Sequence, residues 1–271
     1  MPELPEVETV KNGLLKKVLN KKVTNCKILY DNIIAYPETK EFINNIKNQT
    51  INDIKRRGKF LLFELDNYYL ISHLRMEGKY YIKEINCGIT KHDHVIIELD
   101  NQETLIYNDT RKFGKMHLVK KDELQKSPLS KLGYEPWDKE LTREYLKEKL
   151  NKNKAIKTLL LDQSIIAGIG NIYADEILFL SKIHPEKLGK KLTNKNIEDI
   201  IENTKIILEK AISLGGTTIH TYKAVDGVTG RFQQELLVHN KLNEPCVNCQ
   251  TNIIKIVVNG RGTYYCKKCQ K

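Results

Sequence analysis

The chain opens M-P-E-L-P-E-V-E, and those residues hold a nucleophile in an unusual form. Methionine ahead of a small second residue is normally trimmed, so Pro2 becomes the N-terminus, with a secondary amine where an amide nitrogen would be. An unperturbed α-amino group titrates at roughly 7.7–8.0, so a neutral fraction exists at physiological pH without the desolvation a lysine needs. A secondary amine that attacks an electrophilic carbon ends as a charged iminium. Glu3 and Glu6 are close enough in sequence to move protons or to balance that cation. The same stretch also reads as an ordinary helix start. Pro5 suits the first turn, Glu6 and Glu8 favour the positive end of the helix dipole, and Val7, Val10, Leu14 and Val18 form an apolar stripe. The two readings are compatible, because a helix packed through that stripe anchors the first residues in the body of the protein.

The other end of the chain carries metal chemistry. Cys246-x2-Cys249 and Cys266-x2-Cys269 have the spacing of a four-thiolate zinc site. Between the pairs, residues 253–258 and 263–265 read as a hairpin closed near Asn259-Gly260, which would present Arg261 rigidly at its tip. A full shell of four thiolates leaves no open position for water, so the expectation is one structural Zn2+ per chain and no small-molecule cofactor. Four thiolate charges against two zinc charges would take the formal +11 to +9, still basic. Cys26 and Cys87 are isolated and read as inert.

Several further residues are of types that suit a polyanion. Lys59, in R-R-G-K-F, starts an apolar strand and by itself reads as a solvated strand-edge lysine. His92 and His94, in K-H-D-H, share one strand face, a spacing compatible with a metal pair, although no further ligands complete a site. Met76, in H-L-R-M-E-G, and Arg111 and Phe113, in D-T-R-K-F-G, offer an apolar group, a cation and a ring from loops. Such a set fits a wedge that enters a duplex and unstacks a step, though Phe113 before Gly114 also reads as a core aromatic beside a turn. Asn171 follows the glycine-bearing I-I-A-G-I-G and is a plausible N-cap, flanked in sequence by Lys152 and Lys157. A helix start there would offer backbone N–H groups and a positive dipole end to a phosphate.

These side chains need elements to hold them. After the first helix, residues 23–30, 50–56, 60–65, 69–74, 95–99, 104–107 and 116–119 read as short strands, separated by turn signals such as Arg57-Gly58 and Asp100-Asn101. Strands at that spacing predict a sandwich or flattened barrel. The pattern breaks around residues 121–137 and becomes helical: 141–151, 155–161, 172–180 and a long amphipathic helix over 193–214. Residues 217–232 read as a long loop, of a length that is usually functional or disordered. The expected fold is therefore α+β. A β-sandwich domain (1–130) preceded by a helix is followed by a helical domain (131–235) and a zinc ribbon (236–271).

Composition agrees with this picture. The 271 residues include 45 Lys+Arg against 34 Asp+Glu, which suggests a polyanionic partner such as nucleic acid. No signal peptide and no run long and apolar enough to span a membrane is visible, so a soluble cytoplasmic protein is expected, with metal in preference to disulfides; a monomer is the working expectation, though the sequence does not fix the oligomeric state. No Gly-rich phosphate loop, nucleophile elbow or internal repeat appears.

Taken in order, P-E-L-P-E-V-E-T, R-R-G-K-F, K-H-D-H, D-T-R-K-F-G, the G-I-G-N turn and the four cysteines resemble the bacterial formamidopyrimidine-DNA glycosylase family, essentially end to end. That family is also called 8-oxoguanine DNA glycosylase. The resemblance implies excision of oxidised purines from damaged double-stranded DNA, with AP lyase activity by β,δ-elimination through a Schiff base on Pro2. It also implies a helix-two-turns-helix motif around Asn171. Residue by residue it implies Pro2 as nucleophile, Glu3 as proton manager, and Lys59 and Arg261 as partners in elimination. Met76, Arg111 and Phe113 would fill the gap left by the expelled base, and His92, Lys152, Lys157 and Asn171 would contact the DNA backbone. Lys112 departs from the more usual Arg. Two rivals stand beside this reading. An endonuclease-eight-like glycosylase for oxidised pyrimidines also starts Pro-Glu but usually has Gly where this chain has Leu4, and a non-catalytic zinc-ribbon DNA-binding protein would need only the ribbon and the charge.

Overall fold

The structure is a computed structural model that describes residues 1–86, 88–217 and 230–271. The chain divides into two compact units, Met1–Ser130 with Gly215–Gly230, and Lys131–Leu214 with Arg231–Lys271. The sequence reading places the stretch after Gly215 in the helical part. Its described residues go with the first unit, because Thr217 is tied there to the first helix.

That helix, α1 (Leu4–Val18), begins behind Glu3, whose N–H donates to the Glu6 carboxylate at 2.8 Å. Pro5 occupies its first turn, where the missing N–H costs nothing. Val7, Val10, Leu14 and Val18 are all buried, so the apolar stripe does anchor the amino end.

The rest of the first unit is β1 (Val23–Ile28), β2 (Ile34–Tyr36), α2 (Thr39–Ile46), β3 (Asp53–Arg57), β4 (Phe60–Glu64), β5 (Tyr68–His73), β6 (Lys79–Glu84), β7 (Asp93–Leu99), β8 (Glu103–Asn108) and β9 (Lys115–Lys120). They make a four-stranded sheet in the order β1-β7-β8-β6 and a five-stranded sheet in the order β2-β9-β5-β4-β3. All pairings are antiparallel except the short β2 with β9. Ile97 and Leu105 of the first sheet pack with Leu61, Phe63 and Leu70 of the second, joined by the α1 stripe and by Phe42 and Ile46 of α2. Leu62 and Ile71 point the other way, into a second cluster covered by Leu124 and Leu129. Strand β4 is thus buried on both faces, which is why it reads as a continuous apolar run and does not alternate.

Three elements escape the sequence reading. Helix α2 buries only Phe42 and Ile46, too few apolar positions to show a helical period. β2 is three residues long and largely exposed, and β6 is an edge strand of K-Y-Y-I-K-E with Tyr80 alone fully buried. The strand expected from residue 50 starts at Asp53, because the Thr50 N–H and the Asn52 amide are both taken by the Asp66 carboxylate.

In the second unit, α3 (Arg143–Leu150), α4 (Ile156–Leu160), α5 (Asn171–Leu180) and α6 (Asn194–Ser213) precede a hairpin of β10 (Ile254–Val258) and β11 (Arg261–Tyr265). Thr193 caps α6 reciprocally with Asn196, each N–H donating to the other's side-chain oxygen at 3.2 and 3.1 Å. The hairpin turn places Asn259 at φ 46° and Gly260 at φ 73°, the left-handed pair that makes Asn-Gly the preferred two-residue connection. Asn171 is not the N-cap of α5. Gly170 is, and Asn171 is the first helical residue with its side chain engaged elsewhere. Among the described residues no helix is long and apolar enough to cross a membrane.

Candidate active site

Pro2, Glu3 and Glu6 are buried at the start of α1. The α-amine of the chain, here on Met1, is pushed below its ordinary value near 8 chiefly by burial, with Lys59 pushing the same way and Glu3, Glu6 and Glu77 opposing. Those charges therefore surround one point. Lys59 reaches it because β3 and β4 are joined by Gly58 at φ 56°, and Arg56 braces that turn. The Arg56 guanidinium donates to the Glu8 carboxylate of α1 at 2.7 Å and to the Gly58 carbonyl at 3.2 Å. Lys59 is only 4% exposed, so the solvated strand-edge reading is overturned.

Glu6, read from the sequence as able to move protons or to balance the cation, has both carboxylate oxygens engaged by hydrogen bonds. One of its oxygens accepts the Glu3 N–H, and the other accepts the Thr217 N–H at 2.8 Å and its hydroxyl at 3.1 Å. Gly216 has φ 75°, and a Cβ there would lie 2.6 Å from the same oxygen, so the approach needs glycine. The partners are 211 residues apart, and no local signal connects them. The expected loop over residues 217–232 lies largely outside the described residues.

The loop between β8 and β9 is built around Asp109, which is completely buried. Its carboxylate accepts the N–H groups of Arg111, Phe113 and Gly114 at 2.9, 3.0 and 2.8 Å. Its own N–H donates to the His92 carbonyl at 2.9 Å, and its carbonyl lies 2.7 Å from His94 Nε2. Phe113 is 50% exposed and so is no core aromatic, while a Cβ on Gly114 behind it would collide with the Tyr107 hydroxyl. The Arg111 guanidinium lies 4.8 Å from the Phe113 ring centre. A hydrogen bond from the Thr110 hydroxyl to the Glu77 carboxylate joins this loop to the one bearing the half-exposed Met76. Lys112 adopts φ 57° and lays its ammonium 4.6 Å from the Tyr30 ring centre, away from the Phe113–Arg111 stack. His94 is buried beneath this loop while His92 is partly exposed. Among the described residues the only group of three or more metal-type ligands is the four cysteines, so the histidine metal pair is set aside.

In the second unit, Lys152 and Arg261 are exposed, and Arg261 follows the Asn259-Gly260 turn as the sequence implies. Lys157 is a correction. Expected at the DNA backbone, it is 0% exposed, and its ammonium lies 2.6 Å from an Asp175 oxygen. An ion already neutralised in a buried pair is a poor phosphate ligand. The Asn171 amide donates to the Gly262 carbonyl at 3.0 Å, and its own side-chain oxygen is buried without a partner.

The sulfur atoms of Cys246, Cys249, Cys266 and Cys269 all lie within 4.8 Å of one another, with Cys246–Cys269 at 3.9 Å and Cys249–Cys266 at 3.4 Å. A tetrahedron with Zn–S bonds of 2.3 Å has edges of about 3.8 Å, so the four residues fit Zn2+. Without a metal, Thr251, through its hydroxyl and then its N–H, holds the Cys249 thiol down to about 6, while burial pushes Cys266 and Cys269 up, so one thiol ionises first and the others need the metal's charge. Cys26 is buried and pushed up to about 12, which agrees with an inert role, and Cys87 lies outside the described residues.

The chain matches three family models in order: Formamidopyrimidine-DNA glycosylase N-terminal domain over residues 1–116, Formamidopyrimidine-DNA glycosylase H2TH domain over 132–223, and Zinc finger found in FPG and IleRS over 243–271. It is 48% identical over 273 aligned positions to the formamidopyrimidine-DNA glycosylase of Bacillus cereus, covering 100% of this chain and 99% of that protein. Among solved structures, a Lactococcus lactis FPG mutant in complex with a Fapy-dG containing DNA superposes with a TM-score of 0.93 at 42% identity over 100% of both chains. The Lactococcus lactis Fpg in complex with an abasic site containing DNA gives 0.92 at 42% identity over 99% of each.

Proposed function

The chain belongs to the formamidopyrimidine-DNA glycosylase family, and on that premise we propose how its own residues carry the reaction. It is a base-excision DNA glycosylase with AP lyase activity, acting on damaged double-stranded DNA and holding one structural zinc. A sugar inside a duplex is out of reach, so the damaged nucleotide is first flipped out. With Met1 removed, the Pro2 nitrogen attacks the anomeric carbon and the oxidised purine leaves. Glu3 moves protons as the sugar ring opens, and the resulting iminium drives β- and then δ-elimination, which releases both phosphates. Lys59 assists the eliminations. Phe113, Met76 and Arg111 fill the vacated space, and His92, Lys152, Asn171 and Arg261 hold phosphates. The four thiolates leave zinc no role in bond making. The protein works as a monomer in the cytoplasm, beside its DNA substrate.

One observation carries this reading: Pro2, Glu3 and Glu6 are buried together at the start of α1, where the charge of the enclosed Lys59 is also felt. A binding module has no use for an amino end buried among two carboxylates and a lysine. The test is incubation with duplexes containing one oxidised purine or one oxidised pyrimidine. Release of the purine is expected to be about tenfold faster or more, the scale on which a shaped pocket discriminates. The opposite preference would favour the endonuclease-eight-like rival, and binding with neither base released would favour the non-catalytic one.

The Asp109 loop supports a second expectation. Phe113→Ala should slow excision from paired duplex on the order of tenfold, since the ring offsets part of an unstacking cost of a few kcal/mol. On a substrate whose lesion is already unpaired the loss should be small. Asp109→Asn, which leaves the ring in place but loosens the three N–H groups behind it, should show the same pattern. Equal losses on both substrates would reduce Phe113 to a packing residue.

A further inference from the structure

The second unit contains a buried ion cluster that neither the zinc shell nor the chemistry at Pro2 requires. Asp175 of α5 and Lys157 of α4 are both fully enclosed. A buried ion pair is tolerated only where good geometry and further hydrogen bonds satisfy its remaining donors and acceptors, and one proposed use of such pairs is to specify a single arrangement. Here those further bonds run to the zinc hairpin. One Asp175 oxygen takes the Lys157 ammonium at 2.6 Å, and the other takes the Tyr264 N–H at 3.2 Å and His239 Nδ1 at 2.7 Å. Lys157 also donates to the Gly262 carbonyl at 3.2 Å, and the Asn171 amide donates to the same oxygen at 3.0 Å. The Tyr264 ring stands edge-on to His239 with centroids 5.1 Å apart.

The neighbouring Glu176 fastens the approach to the ribbon, accepting the N–H groups of Leu237, Val238 and His239 at 2.8, 3.0 and 2.8 Å. Two adjacent carboxylates on one helix therefore hold both the strand that leads away from Arg261 and the segment that enters the ribbon. Zinc would clamp the cysteine end of the hairpin, and these hydrogen bonds hold it nearer its tip. Lys157 and Asn171 grip the carbonyl of Gly262, the residue that follows Arg261.

We propose that Asp175 is a positioning residue for Arg261: through Lys157, Tyr264 and the Gly262 carbonyl it fixes the hairpin tip, with His239 completing its hydrogen bonds, so that the guanidinium meets its phosphate already aimed. This rests on the role given to Arg261 above. Fixing a group before binding removes an ordering cost, so losing the anchor should resemble losing the arginine.

The test compares Asp175→Asn, Arg261→Ala and the double variant, reading binding on a duplex with a stable abasic-site analogue, the ratio of β- to δ-elimination products on a duplex with a true abasic site, and zinc content in parallel. Asp175→Asn should keep one zinc per chain and weaken binding about tenfold, as expected for a lost charge-assisted contact. It should also accumulate the β product. The double variant should be no worse than Arg261→Ala alone, because the two act as one unit. His239→Phe, which keeps the Lys157–Asp175 pair and the ring contact, should give a partial loss in the same direction. Additive losses in the double variant, loss of zinc from Asp175→Asn, or wild-type binding by both Asp175→Asn and His239→Phe would each overturn the positioning role. An unimpaired Arg261→Ala would instead overturn the reading of Arg261 itself.

Discussion

Borohydride added during turnover is expected to leave a stable protein–DNA adduct, and peptide mapping is expected to place it on Pro2 after loss of Met1. Reduction of an iminium makes the covalent bond permanent, so the adduct reports directly which nitrogen attacked. A protein whose Pro2 stays behind an uncleaved tag should bind DNA and trap nothing, whereas Pro2→Gly keeps a free amine and should retain some trapping. Glu3→Gln should bind the lesion and excise it slower by on the order of 10²–10⁴-fold, the usual contribution of a positioned proton-transfer group. Before Met1 is lost, its α-amine lies below the ordinary value near 8 chiefly because it is buried, with Lys59 acting the same way. Loss of Met1 moves the amine one residue further into this environment, and the excision rate should rise with pH as the neutral Pro2 amine, the reactive form, becomes populated. Lys59 is the serious competitor, and its burial removes the simple argument that a solvated lysine stays protonated. Trapping that survives a blocked Pro2 and vanishes in Lys59→Ala would move the nucleophile to Lys59.

Cys249→Ser or Cys266→Ser should release the zinc and lower DNA affinity by at least about a hundredfold, while the first unit stays folded. Structural zinc sites of this kind contribute on the order of 10 kcal/mol to the folding of their own module. The ribbon has little else to hold it. Its core is Phe179, Val238 and Ile253 packed on Cys246 and Cys266, and an apolar cluster that small cannot offset the chain entropy without the metal. Release of the ribbon frees Arg261 and the Gly262 carbonyl together, so the loss should exceed that of Arg261→Ala. The first unit should be spared because its core of α1, α2 and two sheets shares no residue with the ribbon. Metal analysis that found no zinc in the wild type, or an unfolded β layer in Cys249→Ser, would contradict this account.

What the sequence by itself determined was whatever depends on spacing within a few residues. The α1 stripe follows from a 3.6-residue period, the hairpin from an Asn-Gly pair that tolerates left-handed φ, and the zinc site from paired cysteines flanking that hairpin. Most strands between residues 23 and 120 were legible for the same reason. Tertiary structure decided the rest, because burial and hydrogen bonding between distant residues leave no local period. Lys59 and Lys157 are both lysines beside apolar runs. One is enclosed with the amino end, and the other disappears into an ion pair with a residue 18 positions away. Asn171 resembles a helix cap, yet its amide belongs to a carbonyl 91 residues on. Glu6 stands near the amino end in sequence, and only the fold brings Thr217, 211 residues on, to its carboxylate. A side chain's type and neighbours in sequence limit the chemistry it can do, but which charges face one another depends on how distant elements pack.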